Sequence, residues 1–108
     1  RINKTPGEIK MSASQEAIEV SRNNVSMEIP WGEVTGLLVF SEKSLIGTSV
    51  QKYKIFTNYG NFEYGEEIRN VNYLNDLIIT RGGLILAGES ENYRRYQKEG
   101  DDPVHGGQ

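Results

Sequence analysis

The chain has 108 residues, the length of one ordinary domain, and its 36% hydrophobic and 25% charged residues are typical of a globular protein. It has no cysteine, which excludes disulfides, thiolate metal sites and a cysteine nucleophile and suits a reducing compartment such as the cytoplasm. The net charge of −3 comes without a cluster of Lys and Arg, so we expect no nucleic-acid partner, and no run approaches the roughly 20 apolar residues of a membrane span.

The first part of the chain predicts three antiparallel strands. After a lead-in over residues 1–7, apolar and polar residues alternate in 8–13, in 17–21 and in 25–29. That alternation is the period of a half-buried strand. Residues 22–24 contain two asparagines, which tolerate the left-handed backbone that hairpin turns require. We therefore expect a meander with short turns.

A longer strand is predicted after Pro30. Proline ends the preceding strand or marks a kink, because it has no N–H for the ladder. Residues 31–40 then continue as strand, and Gly36 within them indicates a bulge or a strong bend. Strict alternation gives this strand two faces, namely Val34, Leu38 and Phe40 against Glu33, Thr35, Leu37 and Val39.

A hairpin is predicted over residues 50–64. Residues 41–49 are polar and predict a loop, and 58–61 have the composition of a turn between two strands. The first of these strands has one face with Tyr53, Ile55 and Thr57 and another with Lys52, Lys54 and Phe56.

One helix follows the hairpin, with Asn70 as its predicted N-cap and Gly82-Gly83 as its end. Arg81 in the last turn complements the negative end of the helix dipole. An apolar stripe on this helix would cover the sheet, because a sheet with one apolar face needs a second layer. The stripe is Ile68, Val71, Leu74, Leu77 and Ile78.

Beyond the helix the pattern weakens. Residues 84–87 predict a short strand or a tucked apolar segment, and 89–98 predict a short polar helix with Tyr93 and Tyr96 on one face. We therefore divide the chain into four parts. They are a lead-in over 1–7, a domain over 8–83, a C-terminal extension over 84–99, and a tail over 100–108 that has the composition of a disordered segment.

The order of motifs at 29–34 (Ile-Pro-Trp-Gly-Glu-Val), 55–64 and 68–78 resembles bacterial pleckstrin-homology-like (PH-like) domains. The resemblance covers roughly residues 8–82. Together with six strands before one helix, it predicts a mainly β (α+β) fold, a bent, partly open antiparallel barrel or sandwich of six or seven strands capped by a C-terminal helix. The seventh strand would come from splitting 31–40 at Gly36, or from 44–50.

The resemblance implies a non-enzymatic interaction or scaffold module that binds a protein or peptide partner. In such folds a sheet edge, or the groove between an edge strand and the capping helix, can accept a peptide as an added strand. We expect the edge near 52–56 and the outer helix face to form this site. The candidate residues are Lys52, Lys54, Phe56, Tyr73 and Asp76.

The alternative is a weak contact with anionic phospholipid at the cytoplasmic face of a membrane. Basic residues near such a surface contribute about 1 kcal/mol each. The lysines on the strand at 52–54 are equally typical of an edge strand protected against aggregation. The loop that binds phosphoinositides in related folds corresponds to 12–17, which has Glu16 and no basic cluster. The candidate lipid-binding residues are Lys10, Lys43, Lys52 and Lys54.

No residue pattern predicts a catalytic site, a metal site or a cofactor. Trp31 with Glu28 and Glu33 fits a sugar-binding platform with paired carboxylates, but a tryptophan that anchors the strand against the helix explains it better. The only histidine, His105, belongs to the tail, and a small hydrolase would need a pocket with a perturbed carboxylate.

Interface roles are open for the tyrosines outside the core, which are Tyr59, Tyr73, Tyr93 and Tyr96.

Overall fold

The structure, a computed structural model, describes residues 9–99; the lead-in and the tail with His105 lie outside them. Its elements in chain order are β1 (Ile9–Ala13), β2 (Ala17–Arg22), β3 (Val25–Pro30), a short 3₁₀ helix (Trp31–Glu33), β4 (Val34–Lys43), β5 (Ser49–Thr57), β6 (Gly60–Gly65), α1 (Val71–Gly82), β7 (Leu84–Ser90) and β8 (Tyr93–Lys98).

The strands form two antiparallel sheets. One has the order β1-β2-β3 and the other the order β6-β5-β4-β8-β7. The predicted mainly β architecture with one helix is confirmed for the described residues, but the sheets are not closed into a barrel. The strand count also differs from the prediction, because residues 9–99 contain eight strands and two of them follow the helix.

The predicted N-terminal meander is confirmed. Ile18 pairs with Ala13 on one side and with Ile29 on the other, so the apolar residues of the three strands share a face. The turn between β2 and β3 uses Asn23 and Asn24, both with positive φ (55° and 66°). Two such residues in succession are the backbone that a tight hairpin requires.

The predicted bulge at Gly36 is confirmed, and it changes the faces of β4. The register with β5 shifts between Val34 and Gly36, so one extra residue interrupts the alternation. As a result Val34 and Leu37, both fully buried, lie on the same face as Val39. The expected grouping of Val34 with Leu38 and Phe40 is therefore wrong, whereas Leu38 and Phe40 do share one face and Leu37 and Val39 the other. The chain at Trp31 also begins with 3₁₀ helix rather than strand.

The segment after the helix is a hairpin in the larger sheet. The strand expected at 84–87 is confirmed and extends to Ser90, whereas the polar helix expected over 89–98 is wrong. β8 pairs with β4, with Leu37 opposite Tyr96, and β7 pairs with β8. β8 thus occupies the edge of β4 that β5 leaves unpaired, and this pairing stabilises the segment as strand.

α1 packs on the inner face of the larger sheet. It contacts β4, β7, the 3₁₀ helix and β1. It begins after Asn70 as predicted, but Asn70 has a left-handed backbone and its side chain makes no capping hydrogen bond. Gly83, with φ of 68°, ends it as predicted. The buried apolar core joins both sheets and the helix, through Ile9, Ile18, Val20, Ile29, Trp31, Val34, Leu37, Val39, Tyr53, Ile55, Tyr64, Ile68, Val71, Leu74, Ile78 and Leu84.

Candidate functional site

A groove lies between β1 and α1. Within residues 9–99, β1 pairs only with β2, so no described strand pairs with its other edge, and α1 packs beside it. The space between them is a cavity of about 400 Å³ that is open to solvent. On the strand side it is lined by the end of β1 and the following turn, and the full lining is Met11, Ser12, Ala13, Ser14, Gln15, Arg69, Asn70, Tyr73, Leu74, Leu77 and Arg81.

The helical wall of the groove is a stripe of residues four apart. Tyr73, Leu77 and Arg81 follow this spacing, and Arg69 continues it just before the helix begins. Residues at this spacing lie above one another on one face of a helix. Tyr73 is 65% exposed, so most of its side chain is accessible to a ligand. The wall therefore presents an aromatic and an aliphatic side chain between two guanidinium groups.

One end of the groove is fixed by hydrogen bonds to a single carbonyl oxygen. The indole Nε1 of Trp31 donates to the Ser14 oxygen at 2.9 Å, and Arg81 Nη1 donates to the same oxygen at 2.7 Å. The Arg81 guanidinium also lies over the Trp31 ring, 5.9 Å from its centroid. These contacts tie the turn after β1 to the last turn of α1, as the predicted anchoring role of Trp31 requires.

The groove has a positive electrostatic character within an acidic chain. Two arginines line it, and none of its lining residues is acidic. Arg81 is already engaged with Ser14 and Trp31. Arg69 is exposed and makes no hydrogen bond or ion pair with another residue in 9–99. Its charge is thus available to a ligand at the end of the groove away from Ser14.

The predicted partner-binding residues fall on different surfaces. Tyr73 lines the groove, whereas Asp76 is exposed on α1 outside the lining. The free edge expected near Lys52–Phe56 is wrong, because β5 pairs with β4 on one side and β6 on the other. Lys52, Lys54 and Phe56 alternate with buried residues and so lie on the outer face of the five-stranded sheet, away from α1.

The four lysines considered for anionic lipid do not converge. Lys10 belongs to the three-stranded sheet, opposite Ser21. Lys43 ends β4, whereas Lys52 and Lys54 lie on the outer face of the larger sheet. The Lys54 ammonium lies 5.5 Å from the Phe56 ring centroid, within reach of a cation–π interaction. The lining of the groove includes none of the four.

The titratable groups with shifted pKa lie in the core rather than in the groove. Burial raises the pKa of Tyr64 far above its ordinary value, and the neighbouring Tyr53 raises it further. Burial also raises the pKa of Tyr53, whose hydroxyl donates to Glu66 at 3.0 Å. The Tyr64 hydroxyl donates to Asn75 Oδ1 at 2.6 Å. The Tyr64–Asn75 hydrogen bond links β6 to α1, and stacking of the Tyr64 ring on Tyr53 links β6 to β5.

Two further features concern residues 9–99. No cluster of three or more His, Cys, Asp or Glu side chains there could hold a metal ion. Within the same residues, no helix combines the length and the apolar character that crossing a membrane requires.

Most groove residues were not identified from the sequence. From the sequence, Arg81 relates only to the helix dipole and Leu77 only to the apolar stripe, and Arg69 has no assigned role. The spacing of 69, 73, 77 and 81 is the available signal, because it places one stripe along the helix next to the buried residues. Which strand would lie beside that stripe depends on the sheet order, which the spacing does not encode.

No family model matches the chain, and comparison with curated proteins and with solved structures gave no significant match.

Proposed function

We propose that this chain is a PH-like interaction module that binds an extended peptide of a partner protein in the groove between β1 and α1. The observation that carries the proposal is that the edge of β1 away from β2 has no strand partner among residues 9–99 and lies beside a groove of about 400 Å³ that is open to solvent. The order of motifs along the chain and the packing of one helix against antiparallel sheets support the PH-like assignment. The β7–β8 hairpin is an addition to that pattern.

Strand addition explains how the groove could recognise a main chain. An edge strand presents unpaired N–H and C=O groups, and an extended peptide satisfies them by pairing. Side chains of such a peptide alternate, so every second one points toward the helix. Met11, Leu74 and Leu77 offer apolar contacts there, and Tyr73 can cover the bound segment.

The charges of the groove favour an acidic peptide. Arg69 and Arg81 stand at different points along it with no acidic lining residue between them. Arginine forms strong, geometrically specific hydrogen bonds with carboxylates. We therefore propose a ligand whose apolar side chains alternate with Asp or Glu. The lining lacks a carboxylate, a histidine and a cysteine, which supports binding rather than catalysis.

Selection from a random peptide library tests the proposal. Peptides of about eight residues match the length of a typical strand. We expect the selected peptides to be enriched in Asp or Glu alternating with apolar residues. Their binding to Tyr73→Ala and to Arg69→Glu should be at least about tenfold weaker, since each loses about 1.4 kcal/mol or more. Tyr59→Ala is the matched control, because Tyr59 is also exposed (48%) but lies in the β5–β6 turn.

The peptide backbone provides a second readout. In an added strand, every second backbone N–H of the peptide faces β1. Methylation of those nitrogens removes the hydrogen bonds to β1 and should abolish binding, whereas methylation of the other set should not. Equal binding of the two methylated peptides would contradict strand addition. Peptides without acidic residues, or unchanged affinity for Tyr73→Ala, would show that another surface is the site.

A further inference from the structure

The hairpin of β4 and β5 projects beyond the rest of its sheet. Pairing of β4 with β8 ends at Phe40, and pairing of β5 with β6 ends at Lys52. The β4–β5 ladder itself continues to Lys43 opposite Ser49. One further hydrogen bond, from Ser41 N to the Asn92 oxygen at 3.2 Å, is present at the base. Residues 42–50 therefore form a two-stranded ribbon whose turn is remote from the core.

The turn of this ribbon presents two adjacent aliphatic side chains to water. Leu45 is 105% exposed and Ile46 is 85% exposed, more than any other large hydrophobic residue described. Turn tips are usually formed by Gly, Asn, Asp, Ser and Pro. Burial in the fold does not explain Leu and Ile here, because neither side chain belongs to the core cluster. On the ribbon below them, Val50 adds a third exposed apolar side chain (40%).

Several backbone and side-chain polar groups of the turn form hydrogen bonds with one another. Ser44 N donates to the Thr48 oxygen at 2.8 Å, and Gly47 N donates to the Ser44 oxygen at 3.0 Å. The hydroxyls of Ser44 and Thr48 bond to each other at 2.8 Å. Polar groups that enter an apolar medium are costly unless they are hydrogen-bonded. This internal bonding lowers the cost of moving the tip out of water.

We propose that Leu45 and Ile46 insert into the interfacial region of a zwitterionic phospholipid bilayer. A bilayer accepts a convex apolar tip without a shape-matched pocket. At the base of the ribbon, Glu42 carries a negative charge and Lys43 a positive charge. This pair of opposite charges complements headgroups that contain both an ammonium and a phosphate. The Lys43 stem can extend its ammonium to the phosphate level while the tip is buried. Two side chains give weak and reversible binding, comparable in kind to a single lipid anchor.

Site-specific fluorescence on vesicles tests this insertion. The chain has no cysteine, so Ile46→Cys takes one environment-sensitive dye at the tip and Val25→Cys takes it at an exposed apolar site elsewhere. With phosphatidylcholine vesicles we expect a blue shift for the dye at position 46 and none at position 25. The coefficient for partition from water onto vesicles should be at least about tenfold lower for the otherwise native Leu45→Ser/Ile46→Ser variant than for the native chain. Each buried aliphatic side chain contributes about that factor. Val25→Ser should partition like the native chain.

Three results would overturn the proposal. The first is equal partition of the native chain and the double serine variant. The second is binding that requires phosphatidylglycerol and disappears in high salt, which would show that lysines rather than the tip make the contact. The third is a blue shift without vesicles that grows with protein concentration, which would show that the tip packs against a second copy of the chain.

Discussion

The Tyr64 hydroxyl and the Asn75 side chain depend on each other. Both residues are buried, at 2% and 7% exposure, and the hydroxyl donates to Asn75 Oδ1 at 2.6 Å. The Tyr64 ring stacks on Tyr53 with centroids 5.4 Å apart. A buried polar group that loses its only partner pays its full desolvation cost. The pair therefore links β6 to α1 as a polar contact within an apolar core.

Replacing Tyr64 by Phe removes the hydroxyl and keeps the ring. We expect the free energy of unfolding to fall by about 1–3 kcal/mol, because Asn75 Oδ1 remains buried without its donor. Urea denaturation measures this loss. Tyr53→Phe is the matched control and should cost less than about 1 kcal/mol, because its acceptor Glu66 is exposed and can bond to water. Equal losses in the two variants would contradict the buried pair.

The raised pKa of Tyr64 makes stability depend on pH at the alkaline end. In the unfolded chain a tyrosine titrates near pH 10, while in the folded protein burial raises the pKa of Tyr64 well above this value. Its contribution is thus fully present below pH 10 and is lost as the pH rises above it. We expect native stability to fall, relative to Tyr64→Phe, by about 1.4 kcal/mol per pH unit above pH 10.

Urea denaturation from pH 8 to pH 11 provides the measurement. The difference in stability between the two proteins should be constant below about pH 9.5 and then shrink, because only the unfolded native chain gains an ionised tyrosine at this position. A difference that stays constant to pH 11 would mean that Tyr64 ionises as readily in the folded protein as in the unfolded one.

At the scale of elements, β8 lies very close to β4 where Gly36 forms the bulge. A Cβ atom at position 36 would lie 3.1 Å from the Tyr96 carbonyl oxygen. A side chain at residue 36 would crowd β8, so the glycine favours the close pairing of β8 with β4. The glycine that interrupts β4 thus also permits the order β4-β8 in the sheet.

Gly36→Ala should therefore destabilise the protein by about 1–3 kcal/mol, as other substitutions that overpack a tight contact do. Gly32→Ala is the matched control, since no atom lies within 4 Å of a Cβ there, and should change stability by no more than about 0.5 kcal/mol. Thermal unfolding compares the two. Hydrogen exchange should also be faster in β8 of Gly36→Ala than in the native chain. A variant as stable as Gly32→Ala would contradict the close packing.

The elements predicted most accurately from the sequence are those whose backbone conformation depends on the residue types at that point of the chain. The asparagine turn, the bulge at Gly36 and the end of the helix at Gly83 all follow from residues with special backbone freedom. Residues 89–98 were assigned to a helix because Tyr93 and Tyr96 are three apart. In the sheet the same two tyrosines lie on opposite faces, since their β4 partners are Phe40 and Leu37. Pairing with a distant strand overrode the local pattern.

The candidate site could be predicted only in kind. A groove between an edge strand and the helix was expected, and Tyr73 was among the residues named for it. The edge itself is predicted at β5, because the lysines there resemble those that protect edge strands, but β5 has a neighbouring strand on each side. β1 has a single lysine, Lys10, and so shows only a weaker mark of the same kind. Its open edge follows from the order of strands, which depends on contacts far apart in the chain.

At the scale of the whole molecule, the three surfaces discussed are separate. The groove lies on the side of β1 and α1, the outer face of the five-stranded sheet lies opposite α1, and the Leu45–Ile46 tip lies at the end of a ribbon. Variants of one surface should thus leave the others unchanged, because distant substitutions usually act independently. This separation allows peptide binding and vesicle binding to be measured on one protein without interference.

The central claim is that an extended acidic peptide pairs with the free edge of β1. Backbone amide chemical shifts measured by NMR during titration with a selected peptide test it most directly. The account predicts the largest changes in Ile9–Ala13, with further changes at Tyr73 and Leu77, and new protection from hydrogen exchange along β1. Changes centred on β5, or on the outer face around Lys52 and Lys54, with β1 unaffected, would contradict it.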